Sequence, residues 1–128
     1  MSYYFSKIMP LDFDRAVEAV VEALKTEGFG VVTEIDIKAT LKRKIGVDFR
    51  NYRILGACNP ALAYEALKLE DKVGTMLPCN VIVQEVDDCH SEVAAIDPLA
   101  SMQAIDNQEL KLAAHQVGEK LKRVIDQL

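Results

Sequence analysis

Cysteine is scarce in this sequence, and the three present, Cys58, Cys79 and Cys89, are an odd number. A secreted disulfide framework needs a larger, even set, so these read as free thiols in a reducing compartment. Long apolar runs are missing too. The longest are a few residues, against the roughly 20 needed to cross a bilayer, so no membrane partner is expected. Met1 to Lys7 show no basic start followed by an apolar run. A secretory signal is therefore not expected, and the reading is a cytoplasmic protein. The sequence has no Cys-x-x-Cys, no histidine pair at ligand spacing, no Gly-x-Ser-x-Gly, no P-loop and no dinucleotide fingerprint. Those absences remove the common metal, nucleotide and hydrolase signatures. No metal site is expected, and neither a cofactor nor a catalytic residue can be named.

Positive charge is also in short supply. Fifteen basic residues stand against 20 acidic ones, for a net charge of −5. Phosphate backbones need clustered Lys and Arg, so no nucleic-acid partner is expected. The densest basic stretch, Lys38 with Lys42, Arg43 and Lys44, reads as a solvated helix face. What is present is an ordinary globular balance: 128 residues, half of them hydrophobic and 27 % charged. That is enough for one core and one surface, hence a single domain over 1–128.

Periodicity places the elements. Tyr3 to Ile8 is aromatic-rich and reads as a strand that Pro10 ends. Asp12 sits where a helix cap belongs. Phe13, Ala16, Val17, Val20, Val21 and Leu24 then recur on one helical face, until Gly28 stops the helix. Phe29 to Ile37 reads as a strand, and a short helix capped by Asp36 follows to Gly46. Tyr52 to Ala57 is a third strand. Asn59–Pro60 then opens a helix that should end before Gly74, since Asn caps well and Pro loses nothing at the first position.

Asn80 to Val86 and Glu92 to Ile96 read as a hairpin joined by five polar residues, Asp87 to Ser91. Residues 99–104 carry no clear signal. Asp106 and Glu109 have the spacing of a capping box. The last helix shows Leu110, Ala114, Val117, Leu121, Val124 and Leu128 on one stripe. Ala113 and Ile125 widen it beyond a coiled-coil seam, so it should lie on a sheet. A hairpin without strict strand–helix alternation predicts a two-layer α+β domain with a mainly antiparallel sheet and helices on one face.

Few residues could carry chemistry. Cys58–Asn59 and Cys79–Asn80 are two Cys-Asn pairs, one opening a helix and the other a strand. A thiol before a helix N-terminus can be stabilised as thiolate. If the strands are neighbours, both sulfurs enter one pocket. Cys58, Asn59, Cys79 and Asn80 are therefore the ligand-binding or redox candidates. The competing reading is that both cysteines are small buried hydrophobes. Glu34 and Asp36 lie two apart on one strand and face the same side, a pair suited to acid–base work or simply to a solvated face. Cys89–His90 falls in the hairpin turn. His115 has no partner in the sequence pattern and reads as a helix flank.

The chain resembles the domain-of-unknown-function 302 family. The likeness runs through Gly28-Phe29-Gly30-Val31, Asp36 with Leu41 and Gly46, Tyr52 through Pro60, Leu77-Pro78-Cys79-Asn80-Val81, and Asp97-Pro98. It implies a small α+β domain like one repeat of the TATA-binding-protein fold, with a curved antiparallel sheet and helices packed on one face. It often implies a homodimer, and it brings neither DNA binding nor an assigned activity. The functional expectation is a dimeric ligand-binding or interaction module with a small-molecule ligand. The alternative is a thiol-dependent redox protein or enzyme using Cys58 and Cys79.

Overall fold

A computed structural model of the protein describes residues 2–128; Met1, included in the single domain read from the sequence, lies outside them. Five strands form one antiparallel sheet in the order β1-β5-β4-β3-β2. They are β1 (Tyr4–Met9), β2 (Gly30–Asp36), β3 (Tyr52–Cys58), β4 (Cys79–Asp87) and β5 (His90–Ile96). The helices are α1 (Phe13–Thr26), α2 (Ile37–Ile45), α3 (Pro60–Leu69), the one-turn α4 (Pro98–Ser101) and α5 (Gln108–Asp126). A 3-10 turn, Asp71–Met76, follows α3. The sheet is open, not a barrel, and the helices pack on one side of it, as the pattern predicted.

Alternation decides which side is buried. Leu55, Val81, Val83, Val93 and Ala95 turn one way and are wholly or almost wholly buried under α1 and α5. α1 meets them with Ala16, Val17, Val20 and Leu24, and α5 with Leu121, Val124 and Ile125. Each buried valine, leucine or isoleucine contributes roughly 1.5–3 kcal/mol by leaving water, and each alanine less. The widened stripe of α5 thus lies on the sheet, with its flanks against α1 and α3.

Caps account for the helix boundaries. Asp12 Oδ1 accepts from Arg15 N at 3.0 Å, and Asp36 Oδ1 from Ala39 N at 2.9 Å. Gly46 ends α2 in the left-handed region at φ 68°, where glycine costs little. α3 ends before Gly74, as the sequence reading has it: it stops at Leu69, and Gly74 falls inside the 3-10 turn that buries Val73. The α5 cap and the β4–β5 connection differ from that reading. α5 is capped by Asn107, not Asp106: its Oδ1 accepts from Leu110 N at 3.0 Å while its Nδ2 donates to the Leu69 carbonyl at 3.4 Å. An amide can do both jobs; a carboxylate at 106 cannot donate. The β4–β5 connection is two residues, Asp88 and Cys89, not five. Asp87 tightens that turn by accepting from Cys89 N and holding His90 Nδ1, each at 2.9 Å.

Candidate functional site

The start of α3 is tied down by Asn59. Its Oδ1 accepts from Leu62 N, capping the helix, and its Nδ2 donates to the Glu27 carbonyl at the end of α1, both at 3.3 Å. Asn107 does the same between α3 and α5, so two asparagines each start one helix and finish another. Gly28 completes the joint. Its φ is +84°, and a Cβ there would lie 2.9 Å from Asn59 Nδ2, so the conformation and the close amide both require glycine.

Next to this joint, β3 pairs with β4 so that Ala57 faces Cys79. Cys58 lies one residue past that pair. Cys58 is the last residue of β3, where the chain turns into α3. Cys79 is buried and Cys58 half-buried. On the far side of the sheet, Gly56 leaves room for two neighbours: an added Cβ would stand 2.6 Å from Pro78 Cγ and nearer still to Thr33 Oγ1.

The ends of β3 and β4 form one wall of a pocket of about 360 Å³. Cys58, Asn59 and Cys79 all line it. The rest is apolar: Phe29 from the sheet side, Leu62 and Ala63 from α3, Leu77, Met102 beside α4, and Leu110 from α5. The pocket is a seam between two clusters. One is the core beneath α1 and α5. The other is a smaller group of Ala66, Val73, Met102, Leu110 and Ala114, and Leu77 packs against both.

Burial pushes the Cys79 thiol up from an ordinary 9.0 to about 11, and the neighbouring Cys58 adds to the rise. Cys79 is therefore a neutral thiol at physiological pH. A neutral thiol presents a polarisable, weakly polar surface and is a poor nucleophile.

The remaining candidates lie elsewhere. Asn80 is exposed and opposite Gly56, on the uncovered face of the sheet, so the structure separates it from the other three. Glu34 and Asp36 do face one side, and Arg53 stands between them. Its Nη1 donates to Glu34 Oε1 at 2.9 Å, and its Nη2 lies 3.7 Å from Asp36 Oδ2. They form an ion-paired group at the sheet edge, with the guanidinium 5.4 Å from the Phe13 ring. His115 is exposed on α5. Asp87, Cys89 and His90 bring possible ligand atoms within 4.8 Å of one another on the exposed hairpin. Hydrogen bonds from the Cys89 amide and then His90 hold the Asp87 carboxyl below the usual carboxylate range.

The pocket-lining residues Phe29, Leu77, Met102 and Leu110 carry no mark in the sequence that separates them from core. Only the alanines at 63, 66, 113 and 114 hint at it, by placing small side chains on inward faces of two helices.

The family model described as "Domain of unknown function DUF302" matches residues 5–128. A crystal structure of an uncharacterized conserved DUF302 protein from Bacillus stearothermophilus superposes with a TM-score of 0.90 at 26% identity, covering 98% of each chain. No curated protein matches.

Proposed function

This chain belongs to the DUF302 family, and from the geometry of its pocket we propose that it is a dimeric binding module for a small, uncharged, largely apolar molecule. One observation carries the reading: a pocket of about 360 Å³ whose walls are almost entirely hydrocarbon and thiol. That volume is within the roughly 300–1,000 Å³ of ordinary small-molecule sites. A charged ligand would be desolvated there without a partner, at a cost of several kcal/mol. Water would find too few polar groups to bond. An aliphatic chain or a single aromatic ring meets neither penalty. Cys79 suits the same ligand because it stays protonated. The setting proposed is the cytoplasm, where the thiols remain reduced; among the described residues no helix is long and apolar enough to cross a membrane.

The test uses the neutral fluorophore N-phenyl-1-naphthylamine with the whole chain. Saturable binding at one site per chain is expected. Ala63→Phe, which fills the pocket, should abolish it while the far-ultraviolet dichroism stays unchanged. A wild-type chain without saturable binding, or a folded Ala63→Phe chain that binds as before, overturns the reading.

A thiol-redox role for Cys58 and Cys79 is the second reading, favoured by one fact: both line the same pocket. Their one-residue offset across the β3–β4 ladder and the neutral state of Cys79 weigh against it. A Cys58→Ala, Cys79→Ala chain that folds and still binds the fluorophore leaves no role for the sulfurs in binding.

A further inference from the structure

We propose that the β4–β5 turn is a zinc site, in which Asp87, Cys89 and His90 together hold one Zn2+ per chain. The site shares no residue with the pocket and stands independently of it. In the sequence the three donors fall within four positions of a polar turn and show no ligand spacing. Folding makes them converge. Asp87 pairs with His90 across the ladder, and only Asp88 and Cys89 connect the strands. The register shifts between Glu85 and Asp87, which makes Val86 a bulge residue. A bulge re-aims the side chains beside it. Oxygen, sulfur and nitrogen donors of the three residues lie within 4.8 Å of one another.

Two of the three donors are already held in place. Asp87 Oδ1 accepts from Cys89 N at 2.9 Å, which fixes the carboxylate against the turn. His90 Nδ1 stands 2.9 and 3.1 Å from the two carboxylate oxygens. Around tetrahedral zinc, with bonds of about 2.0 Å, two such ligand atoms are separated by about 3.3 Å. The ion therefore enters where the hydrogen of this contact sits, and the carboxylate and imidazole part only slightly. Cys89 is exposed and free to rotate, and its sulfur closes in by about 1 Å at most to complete the set.

The donor set selects the metal. Thiolate, imidazole and carboxylate are zinc ligands, whereas calcium and magnesium take oxygen alone. The surrounding charge favours a cation. No Lys or Arg occurs between Lys72 and Lys111, while the hairpin carries Glu85, Asp87, Asp88 and Glu92. Among the described residues, none of these four carboxylates forms an ion pair with a Lys or Arg. On binding, bonds form from zinc to sulfur, nitrogen and oxygen, and bound water leaves the ion. The Cys89 S–H bond breaks and its proton passes to the buffer. The imidazole hydrogen moves from Nδ1 to Nε2 through solvent, so the ring stays neutral. No electron is transferred. The charges of carboxylate and thiolate together balance the ion, and water takes the fourth position.

The experiment titrates the whole metal-free chain with Co2+, whose thiolate complexes carry a charge-transfer band in the near ultraviolet. Saturation at one Co2+ per chain is expected, with that band and with visible bands of tetrahedral intensity. Zn2+ should displace the Co2+ and bleach both. Cys89→Ser should abolish the charge-transfer band. His90→Ala should weaken Zn2+ binding, read by isothermal titration calorimetry, at least about tenfold, since even outer-shell partners of a metal carry about 10–100-fold. His115→Ala, exposed on α5, should leave it unchanged. Saturating Zn2+ should also slow the alkylation of Cys89 by iodoacetamide at least about tenfold, mapped by peptide mass. Should Cys89→Ser lose its native dichroism, the alkylation rates of the wild-type chain decide. No saturable Co2+ band overturns the site. So does a band that persists in folded Cys89→Ser, or Zn2+ protection that falls on Cys58 or Cys79 instead of Cys89.

Discussion

Two halves of the helical layer meet the sheet in different ways. Beneath α1 and the C-terminal half of α5, branched side chains close on branched side chains. Val20, Leu24, Leu121 and Val124 are completely buried against Leu55, Val81, Val83 and Val93. Beneath α3, the 3-10 turn and α4, the layer keeps its own small cluster and touches the sheet mainly through Leu77 and the strand ends. The inward positions there are rich in alanine: 63 and 66 on α3, 113 and 114 on α5. Alanine satisfies a helix without filling the space beneath it. The fold is thus anchored by one half and hollowed in the other, and the pocket sits where filling stops.

The sharpest way to break this comparison is to truncate one residue in each half. Leu121→Ala, in the filled half, is expected to cost about 3–5 kcal/mol, because the surrounding β-branched residues cannot collapse into the gap. Met102→Ala, in the hollowed half, already borders empty space and loses fewer contacts, so about 1–2 kcal/mol is expected. Urea titration of both variants decides it. Equal losses would mean that the two clusters form one continuous core.

The filled half was more fully legible in the sequence than the hollowed half. Helical spacing from Phe13 to Leu24 and from Leu110 to Leu128, with the caps Asp12, Asp36 and Asn59, marks elements that depend on local chemistry alone. The open two-layer architecture follows from their order. What escaped the sequence depends on tertiary bonds. Asn107 beats Asp106 as a cap because its amide also reaches Leu69. The hairpin closes in two residues because Asp87 holds His90. Of the four residues singled out for the site, Cys58, Asn59 and Cys79 share a pocket because β3 and β4 are neighbours. Asn80 parts from them for the same reason, since consecutive residues on a strand face opposite sides.

The thiol at the edge of the filled half offers a test by pH. The folded protein holds the Cys79 proton up to about 11, whereas an ordinary thiol releases it at 9.0. Between those values the unfolded chain has lost a proton that the native chain retains, so stability falls as pH rises. The contribution is fully present below about pH 9 and is lost on the way to 11, roughly 2–3 kcal/mol in all. Chemical denaturation at pH 8 and at pH 10.5, on wild type and on Cys79→Ala, isolates it. The variant should lose less stability between the two pH values, and an identical loss would mean that Cys79 is not the buried group assumed.

Asn59 joins the two halves, since it caps α3 and holds the end of α1. Asn59→Ala removes both bonds and should cost about 1–2 kcal/mol. Asn59→Asp keeps the capping acceptor and loses the donor. If the link to Glu27 matters, Asn59→Asp falls between wild type and Asn59→Ala in thermal denaturation. If only the cap matters, it matches wild type.

The smallest effect is expected at Gly118, the point on α5 where one half gives way to the other: Leu110 and Ala114 precede it in the hollowed half, and Leu121 and Val124 follow in the filled half. It is buried with an ordinary helical φ, so nothing in its backbone requires glycine. A methyl group there would meet Asp97 Oδ1 at 3.4 Å and Pro98 Cδ at 3.6 Å, which is van der Waals contact with the start of α4 and no clash. Replacing glycine by alanine inside a helix contributes up to about 1 kcal/mol. Gly118→Ala should therefore leave stability unchanged or raise it by less than about 1 kcal/mol, provided α4 rests on α5 with the slack expected of the hollowed half. A loss beyond about 1 kcal/mol would instead mean that α4 is pressed onto α5 as tightly as the core packs, and the division between the two halves would have to be drawn farther along the helix.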